Sequence, residues 1–265
     1  MIAVSEKSRG KDTLVQTCAR VSDLAITGKL NGDVVNGGLT RVAAVDARIE
    51  IWLADLAGDS AQAAYCARVL SADEKARAAR FRADPDRRRF AVARGLLRAL
   101  LGSYLDEAPE DIPISVTGKG KPFVAGARMH FNISHSEELA LYAFCRDFEV
   151  GVDIESLGRD ADWKGLAMRI LTARERTELE QMPAAARDRG YFTCWVRKEA
   201  VVKATGAGLS LPLGSVETLG AQATNLGSIR IPLNGSTCEL YDVDVGPGYA
   251  AAVAILPASG SGTAC

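Results

Sequence analysis

The sequence predicts an α+β fold made of two halves that meet near residue 148. Helical patterns are followed by strand patterns, and this order occurs twice along the chain. The length of 265 residues, 48% of them hydrophobic, is enough to bury a core in one large domain or two half-size domains. We expect the halves at 46–148 and 149–257, an N-terminal extension with little fixed order at 1–45, and a flexible tail at 258–265.

The first half opens with a strand and continues with two helices. Residues Ile49–Leu53 alternate between apolar and polar character, which is typical of a strand. Ser71 and Glu74 have the spacing of a capping box and predict a helix start. A second helix is expected after Asp84-Pro85. Its apolar residues keep helical spacing: Phe90, Leu97, Leu100, Leu101 and Tyr104.

Two short apolar runs flank the junction between the halves. Residues Leu139–Phe144 and Val150–Ile154 have strand character, and Arg146-Asp147 between them suits a turn. We therefore predict a hairpin of two paired strands here.

The second half repeats the order of helices and then strands. A charged helical pattern covers residues 163–182, and a long helix is predicted from about 187 to 205. Gly206 is expected to end that helix. Residues 238–245 and 249–256 form a predicted final hairpin.

Composition excludes several classes of protein. The formal net charge is −1, so the chain as a whole does not attract nucleic acid or an acidic membrane. Six cysteines are scattered without a Cys-x-x-Cys pair, which indicates neither a zinc site nor a disulfide framework. The N-terminus lacks an apolar stretch of signal-peptide length. These features predict a soluble, cytoplasmic protein that binds neither nucleic acid nor membrane.

Asp153 and Glu155 are two residues apart on a predicted strand, so both carboxylates point to the same side. Val152 and Ile154 then face the core. Two carboxylates on a rigid element suit Mg²⁺, which completes its shell with phosphate and water. The alternative is an ordinary strand with a polar outer face.

Glu199 and Lys203 are spaced i, i+4 on the long helix, and the simplest interpretation is a surface ion pair contributing roughly 0.2–0.5 kcal/mol. The helical wheel argues against it. At about 100° per residue, both charges fall in one arc of roughly 140° with five large apolar residues. These are Tyr191, Phe192, Trp195, Val196 and Val202. Because an ion pair inside an apolar face is costly to desolvate, a functional role is favoured.

Ser134 and His135 lie near the end of another predicted strand and could donate hydrogen bonds to a phosphate. An ordinary structural histidine is the alternative. His130 and His135 are five residues apart, which fits a zinc pair poorly, and we reject a metal role for them.

Basic residues form the remaining cluster. Lys119 and Lys121 flank a glycine on a predicted turn. Arg87, Arg94 and Arg98 share one face of the second helix, and Arg77 and Arg80 precede them. Such stripes are also compatible with a solvated face. No P-loop or dinucleotide fingerprint is present.

Taken in order, these segments resemble the 4′-phosphopantetheinyl transferases, of the larger surfactin-synthetase-activating (Sfp) type. The matching stretches are Gly120-Lys-Pro122, Phe131-Asn-Ile-Ser-His-Ser136, Gly151-Val-Asp-Ile-Glu155, Trp195-x-x-Lys-Glu-Ala-x-x-Lys203 and Gly208-Leu-Ser-Leu-Pro-Leu213. The resemblance spans roughly residues 48–256. It implies two similar α+β halves related by a pseudo-twofold axis, with a coenzyme A cleft between them.

The resemblance also implies roles for particular residues. Asp153, Glu155 and Glu199 would hold Mg²⁺, with Mn²⁺ as an alternative ion, and Glu199 and Lys203 would be catalytic. Coenzyme A phosphates would be held by a set of polar and basic residues: Arg77, Arg94, Lys121, Ser134, His135, Lys198 and Lys203. Gly95 departs from the family pattern, because some relatives have a hydroxyl residue at this position. Glu74 stands where a relative can have a basic residue.

The implied reaction transfers the phosphopantetheine arm of coenzyme A to a serine of an apo acyl or peptidyl carrier protein and releases adenosine 3′,5′-bisphosphate. The family type implies a monomer. One alternative is a non-catalytic coenzyme A or nucleotide sensor that kept the cleft. The other is a scaffold without a ligand, which leaves the charges in the apolar arc unexplained.

Overall fold

The computed structural model describes residues 29–30, 33–34, 38–158, 163–219, 227–233 and 235–258. Within these ranges helices and sheets are mixed, which confirms the α+β class. The predicted extension is described only in part, and of the predicted tail only residue 258 is described. The pseudo-twofold relation and the cleft remain predictions.

The strands of the described chain are β1 Lys29–Leu30, β2 Asp33–Val34, β3 Leu39–Arg41, β4 Glu50–Asp55, β5 Ile114–Val116, β6 Pro122–Val124, β7 His130–Ser136, β8 Leu139–Cys145, β9 Phe148–Ser156, β10 Ile229–Leu233, β11 Ser236–Asp242 and β12 Tyr249–Pro257. The helices are α1 Ser60–Val69, α2 Ala72–Ala78, α3 Asp84–Leu105, α4 Trp163–Ile170, α5 Ala173–Gln181 and α6 Ala184–Thr205, with 3₁₀ turns at Pro109–Asp111, Gly208–Ser210 and Leu213–Ser215.

The chain divides into two compact units. The first contains residues 1–40 and 55–112, and the second contains residues 41–54 and 113–265. The predicted boundary near residue 148 therefore falls inside the second unit. Residue 148 instead marks the point at which the chain passes from one four-stranded sheet to the other.

The first unit is built on α1, α2 and α3. The predicted capping box is confirmed: Ser71 Oγ accepts from Glu74 N at 3.2 Å, and Glu74 Oε2 accepts from Ser71 N at 2.9 Å. The same Glu74 carboxylate accepts from Arg98 Nε at 2.5 Å, and the Arg98 side chain is buried. Arg98 is therefore a structural residue of this unit.

Gly95 lies where α1 and α3 pack against each other. A Cβ atom at this position would be 2.5 Å from Cys66 Cα and 2.8 Å from Cys66 O, well inside van der Waals contact. A hydroxyl residue cannot fit there without moving a helix. The departure of Gly95 from the family pattern thus has a packing reason.

Two four-stranded sheets form the frame of the second unit, in the orders β3-β4-β8-β7 and β10-β11-β12-β9. The final hairpin is confirmed, because β11 pairs with β12. Residues 163–182, predicted as one charged helical region, form the separate helices α4 and α5. The long helix α6 starts at Ala184 and ends before Gly206, as predicted, and Gly206 has a left-handed φ of 63°.

The predicted hairpin of β8 and β9 is wrong. β8 pairs with β7, whereas β9 pairs with β12 in a nine-residue ladder from Phe148 to Ser156. On its other side β9 meets side chains of β7 in place of backbone groups. Asn132 Oδ1 accepts from Val152 N at 3.1 Å, and Ser136 Oγ accepts from Ser156 N at 3.0 Å. The turn at Arg146-Asp147 therefore joins two sheets.

Helix α6 packs on the face of β9 that carries Gly151. A Cβ atom at Gly151 would be 2.1 Å from Ala200 O and 2.2 Å from Ala204 N, so the helix backbone lies directly on the strand. Val152 and Ile154 point to the opposite face and join a separate apolar cluster, as predicted from their alternation.

A polar network ties residues 41–54 to the C-terminal sheet within the second unit. Arg48 donates to Asp46 Oδ2 at 2.8 Å and to Glu239 Oε2 at 2.6 Å. The Tyr241 hydroxyl lies 2.8 and 2.9 Å from oxygens of the same two carboxylates and donates its one hydrogen to one of them. The hydrogen bond from Arg48 holds the pKa of both carboxyl groups below their ordinary values.

We predict that Gly151→Ala lowers the free energy of unfolding by at least about 3 kcal/mol, because a backbone contact cannot relax like a side chain. Urea unfolding of the purified protein measures the change. Gly158→Ala is the control, since the nearest atom to its added Cβ is Ser156 Oγ at 3.8 Å. Equal stability of the two variants would contradict the close packing of α6 on β9.

We predict that Arg48→Met costs about 1 kcal/mol at pH 6 and progressively less toward pH 3. A carboxyl group whose pKa is lowered by folding stabilises the protein above its unfolded-state pKa of about 4. That contribution is lost as the pH falls through the lower folded-state pKa. Urea midpoints across this range measure it. Arg41→Met, which removes an exposed pair with Glu50 at 3.3 Å, should have a smaller effect. A cost for Arg48→Met that does not change with pH would contradict the network.

Candidate active site

Asp153 is the most enclosed of the predicted metal ligands, with only 4% of its surface exposed. Its Oδ1 atom accepts from Ser134 Oγ at 2.7 Å and from Lys203 Nζ at 2.6 Å. Burial raises the pKa of this carboxyl group, Lys203 and Ser134 act in the opposite direction, and the charge of Glu155 adds to the increase. Among the described residues, no hydrogen-bond donor reaches the other oxygen, Oδ2.

Lys203 connects the long helix to the two strands. Besides Asp153, its Nζ atom donates to Ser134 Oγ at 2.9 Å and to Val152 O at 3.2 Å. The sequence suggested that Lys203 pairs with Glu199 within α6. In the structure Lys203 pairs with Asp153, so this ion pair joins α6 to β9. The predicted position of Lys203 beside the acidic strand is consistent with this geometry.

Glu155 and Glu199 add two more carboxylates to the same region. Glu155 accepts from Ser136 Oγ at 3.0 Å and from Trp195 Nε1 at 3.3 Å. Glu199 is half-buried. Burial raises the pKa of Glu199, and the negative charges of Asp153 and Glu155 raise it further, while Lys203 opposes them. The three carboxylates thus repel one another, with Lys203 as a cation in their midst.

Strand β7 supplies the hydroxyl groups that hold the acidic strand. Asn132, Ser134 and Ser136 alternate along β7, and each bonds to β9. His135 points to the other side of the strand and is exposed. The roles of Asn132, Ser136 and Trp195 were missed from sequence. The period of two in Asn132-x-Ser-x-Ser136 is the signal that could have identified the first two.

A divalent cation fits the donor chemistry of this region. Within the parts of the chain that the structure describes, no three His, Cys, Asp or Glu side chains are grouped as metal ligands. Mg²⁺, however, usually takes only one or two protein carboxylates and completes its shell with water and substrate phosphates. A buried carboxylate oxygen that no donor of the described residues reaches, next to two mutually repelling carboxylates, meets that requirement.

Lys121 anchors the basic turn to the end of α6. Its Nζ atom donates to Glu149 Oε2 at 2.6 Å and to Ala204 O at 2.9 Å. Burial lowers the pKa of this lysine, and the nearby Glu149 carboxylate opposes the shift. Lys119 donates to Ser210 Oγ at 2.8 Å. The turn is therefore fixed at one end of the site helix.

The prediction that Lys198 binds the cofactor is not supported. Its side chain is completely buried, and its Nζ atom is 2.8 Å from Glu175 Oε2. Arg77 and Arg94 belong to the first unit. There Arg77 lies over the Phe90 ring at 5.1 Å, and Arg94 Nε is 2.7 Å from Glu74 Oε1.

One buried and two half-buried carboxylates, beside one lysine and a row of hydroxyl groups, suit a metal ion that also binds phosphate oxygens. Residues 149–254 match the 4′-phosphopantetheinyl transferase superfamily, and residues 58–146 match the N-terminal region of 4′-phosphopantetheinyl transferases. The chain belongs to the 4′-phosphopantetheinyl transferases of the Sfp type, as the sequence motifs predicted.

Several similar proteins are named 4′-phosphopantetheinyl transferases. The chain is 37% identical to 4′-phosphopantetheinyl transferase HetI of a Nostoc species, over 61% of this chain and 70% of HetI. It is 32% identical to psf-1 of Bacillus pumilus over 69% of this chain and 78% of the relative. It is 29% identical to Sfp of Bacillus subtilis over 69% and 81%. None of the helices within the described residues has the length and apolar character needed to cross a bilayer.

We predict that Asn132→Ala lowers the free energy of unfolding by about 1–3 kcal/mol, because it leaves the buried Val152 N–H without its acceptor. Chemical unfolding monitored by tryptophan fluorescence measures the loss. Thr177→Ala is the matched control, since this exposed hydroxyl bonds only within its own helix, to Ala173 O at 3.1 Å. If Asn132→Ala were as stable as the control, the bond between β7 and β9 would not hold the acidic strand in place.

Proposed function

We propose that this transferase moves the 4′-phosphopantetheine arm of coenzyme A onto a serine of an apo carrier protein, with Mg²⁺ bound at Asp153, Glu155 and Glu199. One observation carries the proposal. The Asp153 carboxylate is buried with one oxygen bonded to Ser134 and Lys203, while its other oxygen has no donor among the described residues. A buried carboxylate oxygen without a partner costs free energy, and a cation supplied with the substrate would provide that partner.

The charges of the region support a metal ion over a second lysine. Asp153 and Glu199 both have raised pKa values, for which burial is the first cause. A divalent ion would remove the repulsion between the carboxylates and favour their ionised forms. When bound, Mg²⁺ would neutralise negative charge on the diphosphate of coenzyme A. Mn²⁺ has similar ligand preferences and is a possible substitute.

Lys203 is the proposed partner of the diphosphate. Its three donors are all engaged with Asp153, Ser134 and Val152, so it would exchange one of these acceptors for a phosphate oxygen. Ser134 is positioned next to the same atoms. His135 and Lys121, and Arg77 and Arg94 of the first unit, stay in the proposal as phosphate ligands. Lys198 is left out of the proposal, because its side chain is completely buried and paired with Glu175.

Glu199 is the proposed general base. The carrier serine is a weak nucleophile, and its proton must leave as its oxygen attacks the β-phosphorus of coenzyme A. The Glu199 carboxylate, ionised when the divalent ion is bound, is the candidate acceptor for that proton. The leaving group is adenosine 3′,5′-bisphosphate. Lys203 would offset the charge that moves onto the phosphoryl oxygens.

The proposal includes further features that rest on the family resemblance alone. The partner is an apo acyl or peptidyl carrier domain, and the protein acts as a monomer in the cytoplasm. A coenzyme A sensor without catalysis is the alternative. It would retain coenzyme A but leave the carrier unmodified, so the intact mass of the carrier after incubation with coenzyme A and Mg²⁺ separates the two.

We predict that Asp153→Asn and Glu199→Gln each lower the transfer rate by at least about 100-fold, since each removes a charged ligand of the cation that would stabilise the reacting phosphate. The gain of one phosphopantetheine in carrier mass, followed over time, measures the rate. EDTA should abolish the wild-type reaction, and added Mg²⁺ should restore it. Glu178→Gln, at a surface pair with Arg174, is the control and should react normally. Normal transfer by either site variant would remove that carboxylate from the mechanism.

A further inference from the structure

Lys198 and Glu175 form an ion pair that is completely enclosed by protein. Both side chains have 0% of their surface exposed, and Lys198 Nζ lies 2.8 Å from Glu175 Oε2. Enclosed ion pairs are weak stabilisers, because desolvation cancels much of their attraction, and apolar residues of equal volume are often as good. The presence of this pair beside the site helix therefore calls for another explanation.

Every donor of Lys198 is used by protein. In addition to Glu175, its Nζ atom donates to Leu213 O at 2.9 Å and to Val216 O. An ammonium group has three donors, so none remains for a ligand. The contacts connect α6 to the 3₁₀ turn Leu213–Ser215 and the residue that follows it.

The Glu175 carboxylate is equally saturated. Its Oε2 atom accepts from Thr172 N at 2.8 Å, which closes the capping box at the start of α5. Its Oε1 atom accepts from Thr218 N and from Thr218 Oγ1, both at 2.8 Å. Together with Lys198 these donors hold the pKa of Glu175 below its ordinary value despite burial, which acts to raise it. One carboxylate thus joins α5, α6 and residue 218.

The pair is placed where it can fix the rotation of α6. Lys198 precedes Glu199, so the two side chains leave the helix about 100° apart. The contact at Gly151 sets how closely α6 approaches β9, but a helix can still turn about its axis over such a contact. Hydrogen bonds with fixed directions from Lys198 to three acceptors oppose this rotation, in addition to the bonds of Lys203 and Trp195 to β9. They therefore help to set the direction of Glu199.

We infer that Lys198 and Glu175 are a positioning pair for the transfer reaction, which holds α6 in the rotation that aims Glu199 and Lys203 at the β9 carboxylates. The inference rests on the proposed function, since it assigns the pair a role in the same reaction. It differs from the sequence-based prediction, in which Lys198 contacts coenzyme A.

The double variant Glu175→Leu/Lys198→Met tests the inference, because it removes both charges and leaves no unpaired ion in the core. We expect it to fold with a lowered melting temperature, because Thr172 N, Thr218 N and the two carbonyl acceptors of Lys198 lose their partners; kcat is therefore measured well below that temperature. Its kcat for carrier modification should fall at least about tenfold, since displacement of a catalytic group by about 1 Å can cost roughly 100-fold. Its affinity for coenzyme A in EDTA, measured by calorimetry, should change less than about threefold.

Other results would overturn the inference. A folded double variant with wild-type kcat would make the pair a stability element only. A coenzyme A affinity at least about tenfold weaker, with normal kcat at saturation, would make Lys198 a cofactor ligand. An inactive wild-type protein would instead refute the proposed function, so the two failures are distinguishable. The control is Arg174→Met/Glu178→Leu, which removes an exposed pair from α5 and should leave kcat unchanged.

Thr218→Val provides the second test in case the double variant does not fold. It removes one donor to Glu175 while it keeps the shape of the side chain and both charges. A loss of kcat of about threefold, with unchanged affinity for coenzyme A, supports positioning. An unchanged kcat overturns it.

Discussion

The direct contact between the backbone of α6 and strand β9 is the constraint on which the second unit depends. Gly151 makes it possible, because any side chain would overlap Ala200 O and Ala204 N. With the helix this close, Lys203 reaches Asp153 Oδ1 at 2.6 Å and Trp195 reaches Glu155. The glycine that begins the acidic motif is thus as necessary to the site as the carboxylates, although it takes no part in the chemistry.

Strand β9 is held differently on its two edges, and the difference creates the site. One edge forms a nine-residue ladder with β12. The other edge meets Asn132, Ser134 and Ser136 of β7 through side chains. Side chains take the place of backbone hydrogen bonds on this edge. The Ser134 and Ser136 hydroxyls can therefore bond to carboxylates as well as to backbone groups. The polar side chains of β7 are therefore explained by their contacts with β9. They join the two sheets, and they also bond to Asp153 and Glu155.

Local patterns in the sequence predicted the parts of this protein that local physics determines. The capping box at Ser71, the end of α6 at Gly206 and the common side of Asp153 and Glu155 depend on spacing, and the structure has all three. The pairing of β8 with β9 was predicted wrongly because adjacency along the chain does not reveal that β9 has a better partner, β12, far along the sequence. Lys198 was misplaced for a similar reason, since its partner Glu175 lies on another helix.

Helix α6 contributes a lysine to each of two ion pairs, Lys198–Glu175 and Lys203–Asp153. The two pairs differ in how completely they are hydrogen-bonded, and this contrast supports the proposed position of the reaction. Lys198 and Glu175 are saturated: three acceptors meet one ammonium and four donors meet one carboxylate. Lys203, further along α6, pairs with Asp153 of β9, which keeps an oxygen without a donor among the described residues, and Glu199 is repelled by two other carboxylates. Folding alone satisfies the first group and leaves the second deficient in positive charge. A ligand that brings a cation would complete the second group, so α6 combines a closed, structural ion pair with an open one that is suited to binding.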